Sequence, residues 1–321
     1  MAKTPKIQND NISDLLGGID PKYYDQDDFL DIVQWNLRWF NSLDKSREMA
    51  IREVLKVLNS DIFVFQEIED KSLDSIASYL TEQGVGNYRT AYGTTGGQQR
   101  IALMWDIEWV RTKDDIRELF GRNQVLTASG TDVFPRLPLW SYFYCKSTKS
   151  NKRGFDFQLV GLHLKSQMDR SGKGEAQAQR LKSAESLSGW LENDAVKVDA
   201  DTIMLGDWNE DPMAAAWQSF RDLERKKKAL FSNINDSTHF SHLYYKNRSD
   251  VGSLLDLKVV TSPFATALNK VGGAIHWINL DELLESNASA KKVKEYINTV
   301  RTEVTDHLPV LTRFTLNKRA K

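Results

Sequence analysis

The chain has 321 residues, and its 43 basic and 44 acidic side chains give a formal net charge of −1. That balance excludes a globally basic protein that coats nucleic acid, while leaving room for a local basic face on an enzyme. A single cysteine, Cys145, excludes both an intrachain disulfide and a cysteine-built zinc site. Hydrophobic residues at 40% and nine tryptophans suffice for a sizeable core, in one large domain or two ordinary ones. No apolar run reaches the length of a membrane span, and Met1 to Asp10 lacks the apolar core of a secretory signal. The protein is expected either to stay inside the cell or to have lost a leader, so its compartment is open.

Residues 1–28 are polar, with Gly17, Gly18, Pro21 and an acidic cluster at Asp25, Asp27 and Asp28. They read as an N-terminal arm, loosely ordered or packed across the body, ahead of a single mixed α/β domain over 29–321. The first strand is expected from Asp31 to Asn36. A helix follows from an Asp44 N-cap to Leu58, with Met49, Val54, Leu55 and Leu58 on its apolar side. Asp61 to Phe65 is a short apolar strand ending at Gln66-Glu67, and a helix fits Leu73 to Gln83. Tyr88 to Tyr92, a glycine-rich turn over Gly93 to Gly97, and Arg100 to Trp105 read as a hairpin. Further strands fit Pro138 to Lys146, where Cys145 reads as a small core residue, and Phe155 to His163. A long helix runs from about Glu175 to Glu192, with Leu181, Ala184, Leu187 and Leu191 at helical spacing.

The stretch from Thr202 to Pro212 gives the next signal. Thr202 to Leu205 is strand-like, Gly206 permits a turn, Asp211 can cap a helix, and Pro212 suits its first turn. Such a strand delivers Asp207 and Asn209 to its C-terminal edge. A carboxylate and a carboxamide there offer hard ligands for a divalent cation, or hydrogen bonds to a phosphate. Gly-Asp-x-Asn serves equally well as a turn with an N-cap. A helix is expected from Pro212 to Phe220, then a basic run at Arg225 to Lys228. Strands over Leu254 to Val260 and Val310 to Leu316 close the body, with a polar, partly helical excursion from Ser286 to Arg301 between them.

Several strands thus end in residues useful to phosphate chemistry: Asn36, Glu67, His163, then Asp207 and Asn209. Asp306 and His307 add an acid and a histidine just before the last strand. Strand ends that converge on one edge are where α/β proteins build sites. Each residue alone has a plain structural reading as a turn, a solvated strand end or a satisfied histidine.

Five segments in order carry a family resemblance: Gln34 to Phe40, Phe65-Gln66-Glu67, Gly161 to Ser166, Leu205 to Asn209 and Thr305 to Pro309. The sequence resembles the endonuclease/exonuclease/phosphatase superfamily of DNase I-like fold, in the style of its bacterial DNase-like members. The resemblance implies a four-layer α/β sandwich, two mixed β-sheets packed face to face with helices outside. It implies hydrolysis of a phosphodiester with Mg²⁺, for which Mn²⁺ or Ca²⁺ could stand in. Glu67 would bind the metal with Asn36 and Asp306, while Asp207 and Asn209 position water and phosphate. His307 would sit beside the attacking water, oriented by Asp256, with Asp281 as the rival for that role. His163 matches the second histidine of the DNase I-like branch, and Arg136 an arginine that grips phosphate, with Arg100 and Lys165 as further phosphate contacts. Where that branch usually has a glutamate before the arginine, Gln99 stands as the partner of His163, and a neutral partner raises the imidazole pKa less.

The expected substrate is nucleic acid, DNA ahead of RNA, cut by a monomer. Lys146, Lys149, Lys152, Arg153, Lys165, Arg170 and Lys173 could form a local basic track. The alternatives are a phosphatase or phosphodiesterase acting on inositol or lipid headgroups, and a catalytically inactive binding module.

Overall fold

The computed structural model describes residues 12–26, 28–146, 154–169, 172, 174–231, 240–247, 250–286 and 288–316. β1 (Phe29–Phe40) and β2 (Ile62–Ile68) run parallel, and β3 (Tyr88–Tyr92) forms the expected hairpin with β4 (Arg100–Asp106). β5 (Val110–Thr112), β6 (Arg117–Glu118), β7 (Leu139–Cys145) and β8 (Phe155–His163) follow, then β9 (Thr202–Asp207), parallel to β8. The remaining strands are β10 (Ala229–Phe231), β11 (His242–Asn247), β12 (Asp250–Ser253), β13 (Asp256–Thr261), β14 (Gly273–Ala274) and β15 (Val310–Thr315). They make two mixed sheets, ordered β14-β15-β1-β2-β4-β3 and β10-β13-β9-β8-β7-β5 with β6 on β7, plus the separate hairpin β11-β12.

Alternation along the strands stacks these sheets. Ile32, Val64 and Leu103 of the first sheet meet Leu159, Leu205 and Val260 of the second in one buried cluster, which also takes in Cys145. The opposite faces are apolar as well. Val33, Trp35, Phe63 and Phe65 pack under the helices Lys45–Leu58, Asp74–Glu82 and Ala290–Glu303. Val160, Leu162 and Met204 pack under the helix Glu175–Trp190. A strand buried on both faces reads as a near-continuous apolar run, which is how Ile62 to Phe65 and Ile203 to Leu205 appear. The result is the α/β sandwich, with helices outside both sheets.

Asp44 caps its helix as expected, its carboxylate accepting the Arg47 N–H at 3.2 Å. The arm packs across the body from residue 12 onward. Leu16, Ile19 and Tyr23 are buried, and Asn279 Nδ2 donates to the carbonyls of Asp14 and Leu15 at 2.6 and 3.0 Å. Arg313 grips Asp31 through two bonds, at 2.7 and 2.5 Å, and also donates to the Lys22 and Tyr24 carbonyls.

The helix after Asn209 starts later than the sequence indicates. Asp211 Oδ1 accepts the Met213 N–H and its carbonyl accepts the Ala214 N–H, which makes a turn around Pro212. A 3₁₀ turn (Ala215–Trp217) then leads into the helix Gln218–Arg225. The start is set by Trp217, whose ring packs edge-on against buried Trp208 at 5.2 Å. The excursion before β15 holds two helices, Ile278–Glu285 and Ala290–Glu303, the second capped by Ser289 and buried through Val293, Ile297 and Val300.

Candidate active site

The inner-face rows that build the core also deliver the site. Leu30 and Ile32 continue to Gln34 and Asn36 on β1, and Phe157 and Leu159 to Gly161 and His163 on β8. Ile203 and Leu205 lead to Asp207 on β9, while β13 begins at Asp256 on that same edge. In the ladder Asp207 pairs with His163 on one side and Asp256 on the other. Period two therefore places one polar residue of each strand on the same face, at the place where the apolar row stops. Two glycines let the strands meet. A Cβ on Gly161 would press on Val64 and Ile101 of the facing sheet at 2.9 and 3.0 Å, and one on Gly206 (φ +147°) would collide with the Leu162 carbonyl.

Asp207 is the hub. Asn36 Nδ2 donates to Asp207 Oδ2 at 3.0 Å and to Glu67 Oε1 at 3.3 Å, while Asn36 Oδ1 accepts the Arg38 N–H at 2.9 Å. His163 Nε2 lies 3.8 Å from both Glu67 Oε1 and Asp207 Oδ2, and His307 Nε2 lies 4.0 Å from Asp207 Oδ2. Burial pushes the Asp207 carboxyl up to about 7; His307 opposes that, Asp256 adds to it, and the Asn36 and Asn209 donors oppose it. Asn209 is held by its N–H on Asp207 Oδ1 at 2.8 Å and its Nδ2 on the Leu164 carbonyl at 3.1 Å.

Backbone strain concentrates here. Arg38, Trp39, Glu67 and Asn209 all have positive φ, between 45° and 61°. Such conformations persist where surrounding contacts over-determine them. Between Asn36↔Gln66 and Phe40↔Ile68 the β1–β2 pairing slips, so β1 carries the excess residues in a bulge. The bulge is pinned by the Trp39 N–H on Glu67 Oε2 at 3.2 Å and by Arg38, which reaches Asp306 and the Arg301 carbonyl.

His307 Nδ1 lies 2.7 Å from Asp256 Oδ2, both buried. Asp281 is engaged elsewhere, 2.8 Å from His276 Nδ1, and does not reach His307. Burial works against a charged His307 ring, yet Asp256, Asp207 and Asp306 outweigh it and raise the ring to about 10. His163 goes the other way. Burial, then Arg136 and His307, hold it well below the ordinary imidazole value, opposed by a backbone contact with Gln99.

Gln99 therefore meets His163 through its backbone, while its side-chain oxygen accepts from Arg136 Nη2 at 2.5 Å. Arg136 is buried within reach of the fields of Glu67 and Asp207. Two expected phosphate contacts have local partners. Arg100 donates to the Gly93 and Gly97 carbonyls and sits 3.4 Å from Asp70, and Lys165 Nζ donates to its own loop at Ser166 and Met168. Each serves the carbonyls of a tight turn, a use that charge in the sequence does not reveal. Lys146 Nζ likewise bonds the Ile107 and Glu108 carbonyls, while Lys149, Lys152, Arg153, Arg170 and Lys173 lie outside the described residues. Asp306 faces Arg38 Nε at 3.3 Å and Arg301 Nη2 at 3.5 Å. In the basic run, Arg225 pairs with Asp222 and Lys228 with Glu192, as on a solvated helix end.

Three features escaped the sequence reading. Buried Arg180 joins two site loops, Nε on Glu210 at 2.5 Å and Nη1 on the Lys165 and Ser166 carbonyls at 3.2 and 2.9 Å. Trp39 stands 53% exposed beside Glu67. His242, at the start of β11, forms a bridge with His307, the two rings 4.8 Å apart. The strand-like alternation of His242 to Tyr245 was its only sequence signal.

An α/β sandwich of two mixed sheets with helices outside is the DNase I-like fold. The sequence model of the Endonuclease/Exonuclease/phosphatase family matches residues 33–223, and the chain belongs to that family. Among solved structures, it is similar to an endonuclease/exonuclease/phosphatase family protein from Bacteroides thetaiotaomicron, with 19% identity, 89% of this chain and 97% of that chain covered, and a TM-score of 0.57. A mannosyl-6-phosphatase of the same organism gives 18%, 88% and 98%, and 0.56. A 3′ phosphatase from Neisseria, bound to product DNA hairpin, gives 14%, 89% and 99%, and 0.52. At these identities the likeness is one of fold. No curated protein sequence matches the chain.

Proposed function

We propose that the protein is a divalent-metal-dependent phosphodiesterase, a nuclease hydrolysing DNA. The observation that supports this most is the convergence of Glu67, Asp207, His163 and the Asp256–His307 pair on one strand edge. The donor set suits Mg²⁺. Glu67 and Asp207 present carboxylate oxygens on either side of the Asn36 amide and His163 Nε2, and among the described residues no ion pair joins Glu67 to a lysine or arginine. Glu67 would hold the ion with Asp207. Asn36, with its oxygen accepting the Arg38 N–H, acts as the donor that spaces the two carboxylates, while the Asp306 carboxylate is paired with Arg38 and Arg301. Bound there, Mg²⁺ would neutralise charge on a non-bridging phosphate oxygen.

The side chains supply the rest. His307, fixed through Nδ1 by Asp256, turns Nε2 toward Asp207, and would take the proton of the attacking water at that atom once a cation held by Glu67 and Asp207 offsets the carboxylates that otherwise keep the ring protonated. The carboxylates that raise its pKa stabilise the imidazolium so formed. His163 stays neutral, so it serves as a hydrogen-bond clamp on phosphate and not as an acid. Arg136, held by Gln99, adds positive charge to the same edge.

A second reading, hydrolysis of a small sugar or inositol phosphoester, is favoured by Lys146 and Lys165 being spent on backbone carbonyls and not on a track for a polymer. Supercoiled plasmid and inositol phosphates, each incubated with Mg²⁺ beside His307→Ala, separate the two. The expected outcome is plasmid nicking that the variant loses. Phosphate release from the inositol phosphates without nicking would promote the second reading, and equal nicking by the variant would overturn the site.

A further inference from the structure

We propose that His242, Asp306 and His307 form a second cation site, which takes a transition-metal ion such as Zn²⁺ and shuts the enzyme off when filled. The inhibitory half of this rests on the role given above to His307. One donor atom from each of the three residues lies within 4.8 Å of the others. Backbone bonds fix the cluster. Leu243 N–H donates to the Asp306 carbonyl at 2.6 Å and Leu308 N–H to the Ser241 carbonyl at 2.7 Å, bracketing the His242↔His307 bridge. The Ser241 hydroxyl in turn accepts the N–H groups of Leu255 and Asp256, at 3.1 and 3.0 Å, so the segment leading into the hairpin is tied to the backbone of the residue whose carboxylate orients His307.

The donor chemistry differs from that of Glu67 and Asp207. Two imidazoles and one carboxylate suit a borderline ion such as Zn²⁺ far better than Mg²⁺, which prefers oxygen alone. His307 is already oriented as metal-binding histidines are, with Nδ1 on the Asp256 carboxylate and Nε2 left for the ion. His242 has Nδ1 directed at Ser253 Oγ, 3.4 Å away, which leaves its Nε2 as the second nitrogen. Three protein donors leave a fourth position for water or a phosphate oxygen.

Arg38 and Arg301 work against the site. Their guanidiniums lie 3.3 and 3.5 Å from Asp306 Oδ2 and compete for that carboxylate, and the donors must close by side-chain rotation. The site is therefore regulatory and not a permanent structural one. Filling it is inhibitory because the ion displaces the Nε2 proton of His307 to solvent and occupies that nitrogen, which can then take no proton from water.

The test uses the full chain in excess Mg²⁺, with Zn²⁺ as the probe. Zn²⁺ binding is read by competition with a chromophoric chelator, and Zn²⁺ inhibition of hydrolysis is read alongside. The wild type is expected to bind one Zn²⁺ per chain. His242→Asn should weaken both binding and inhibition by about tenfold or more, while His276→Asn, whose ring belongs to Asp281, should change neither. Equal binding by wild type and His242→Asn overturns the proposal, as does inhibition that His242→Asn leaves unshifted. Should that variant misfold, the visible spectrum of Co²⁺ on the wild type decides. Intense bands of a four- or five-coordinate ion support the site, and the pale spectrum of hydrated Co²⁺ overturns it. A wild type that hydrolyses nothing would defeat the phosphodiesterase reading while the binding result still stood.

Discussion

Lys258 gives the sharpest test of how the core supports the site. It lies on β13 between Asp256 and Val260, only 5% exposed, and its Nζ donates to Thr312 Oγ1 of the facing sheet at 3.2 Å. Burial lowers its pKa from 10.5 to about 8. At about 1.36 kcal/mol per pH unit, that interval corresponds to about 3 kcal/mol of lost stability while the ammonium is charged. Lys258→Met keeps the length and removes the charge, at the cost of one hydrogen bond of about 1 kcal/mol. The variant should therefore be more stable than the wild type by about 2 kcal/mol at pH 7. Because the folded-state pKa is the depressed one, the unfolded chain binds the extra proton between about pH 8 and 10.5. Wild-type stability relative to the variant must rise across that window, until the advantage of methionine is gone. Urea unfolding of both proteins at pH 7 and at pH 10.5 measures it. A difference that is the same at both pH values, or a variant less stable at pH 7, would refute a desolvated ammonium at Lys258.

Three further outcomes follow from the site. Asp256→Asn should lower kcat by roughly 10²–10⁴ with a smaller change in KM, because the amide neither orients nor stabilises the His307 imidazolium; steady-state kinetics showing an unchanged kcat would contradict that role. Arg180→Met strands Glu210, whose side chain is 24% exposed, and should cost about 2 kcal/mol in urea unfolding. A loss below about 0.5 kcal/mol, the scatter of ordinary surface substitutions, would mean the clamp is not structural. Trp39→Ala should raise KM on DNA by roughly fivefold, the equivalent of about 1 kcal/mol of base stacking, with Trp39→Phe retaining most of it; KM unmoved by either substitution would remove Trp39 from substrate binding.

The residues legible from sequence are those that end a period-two row. Asn36, His163 and Asp207 each close an apolar alternation, so reading the strands also located the candidate site. Asp256 was separable from Asp281 by its β-branched flanks, since Asp281 lies on the helix Ile278–Glu285. What the sequence hid depends on contacts of long range. His242 meets His307 only because the β11–β12 hairpin docks beside the last loop. Trp39 is exposed because a bulge sets β1 out of register with β2. Arg100 and Lys165 carry the charge a phosphate contact needs, but nearby turn carbonyls claim them first. The 3₁₀ entry at Ala215 was equally hidden, because aromatic packing on Trp208 outweighed the helix-start signal of Asp211-Pro212.

The central claim is that Glu67 holds a divalent ion for phosphodiester hydrolysis, and its most direct test is the rate of plasmid nicking against Mg²⁺ concentration for wild type and Glu67→Gln. The account predicts a rate that saturates with Mg²⁺, vanishes in chelator, and falls by about 10² or more in Glu67→Gln. Nicking that persists in chelator, or that Glu67→Gln matches at every Mg²⁺ concentration, would contradict it.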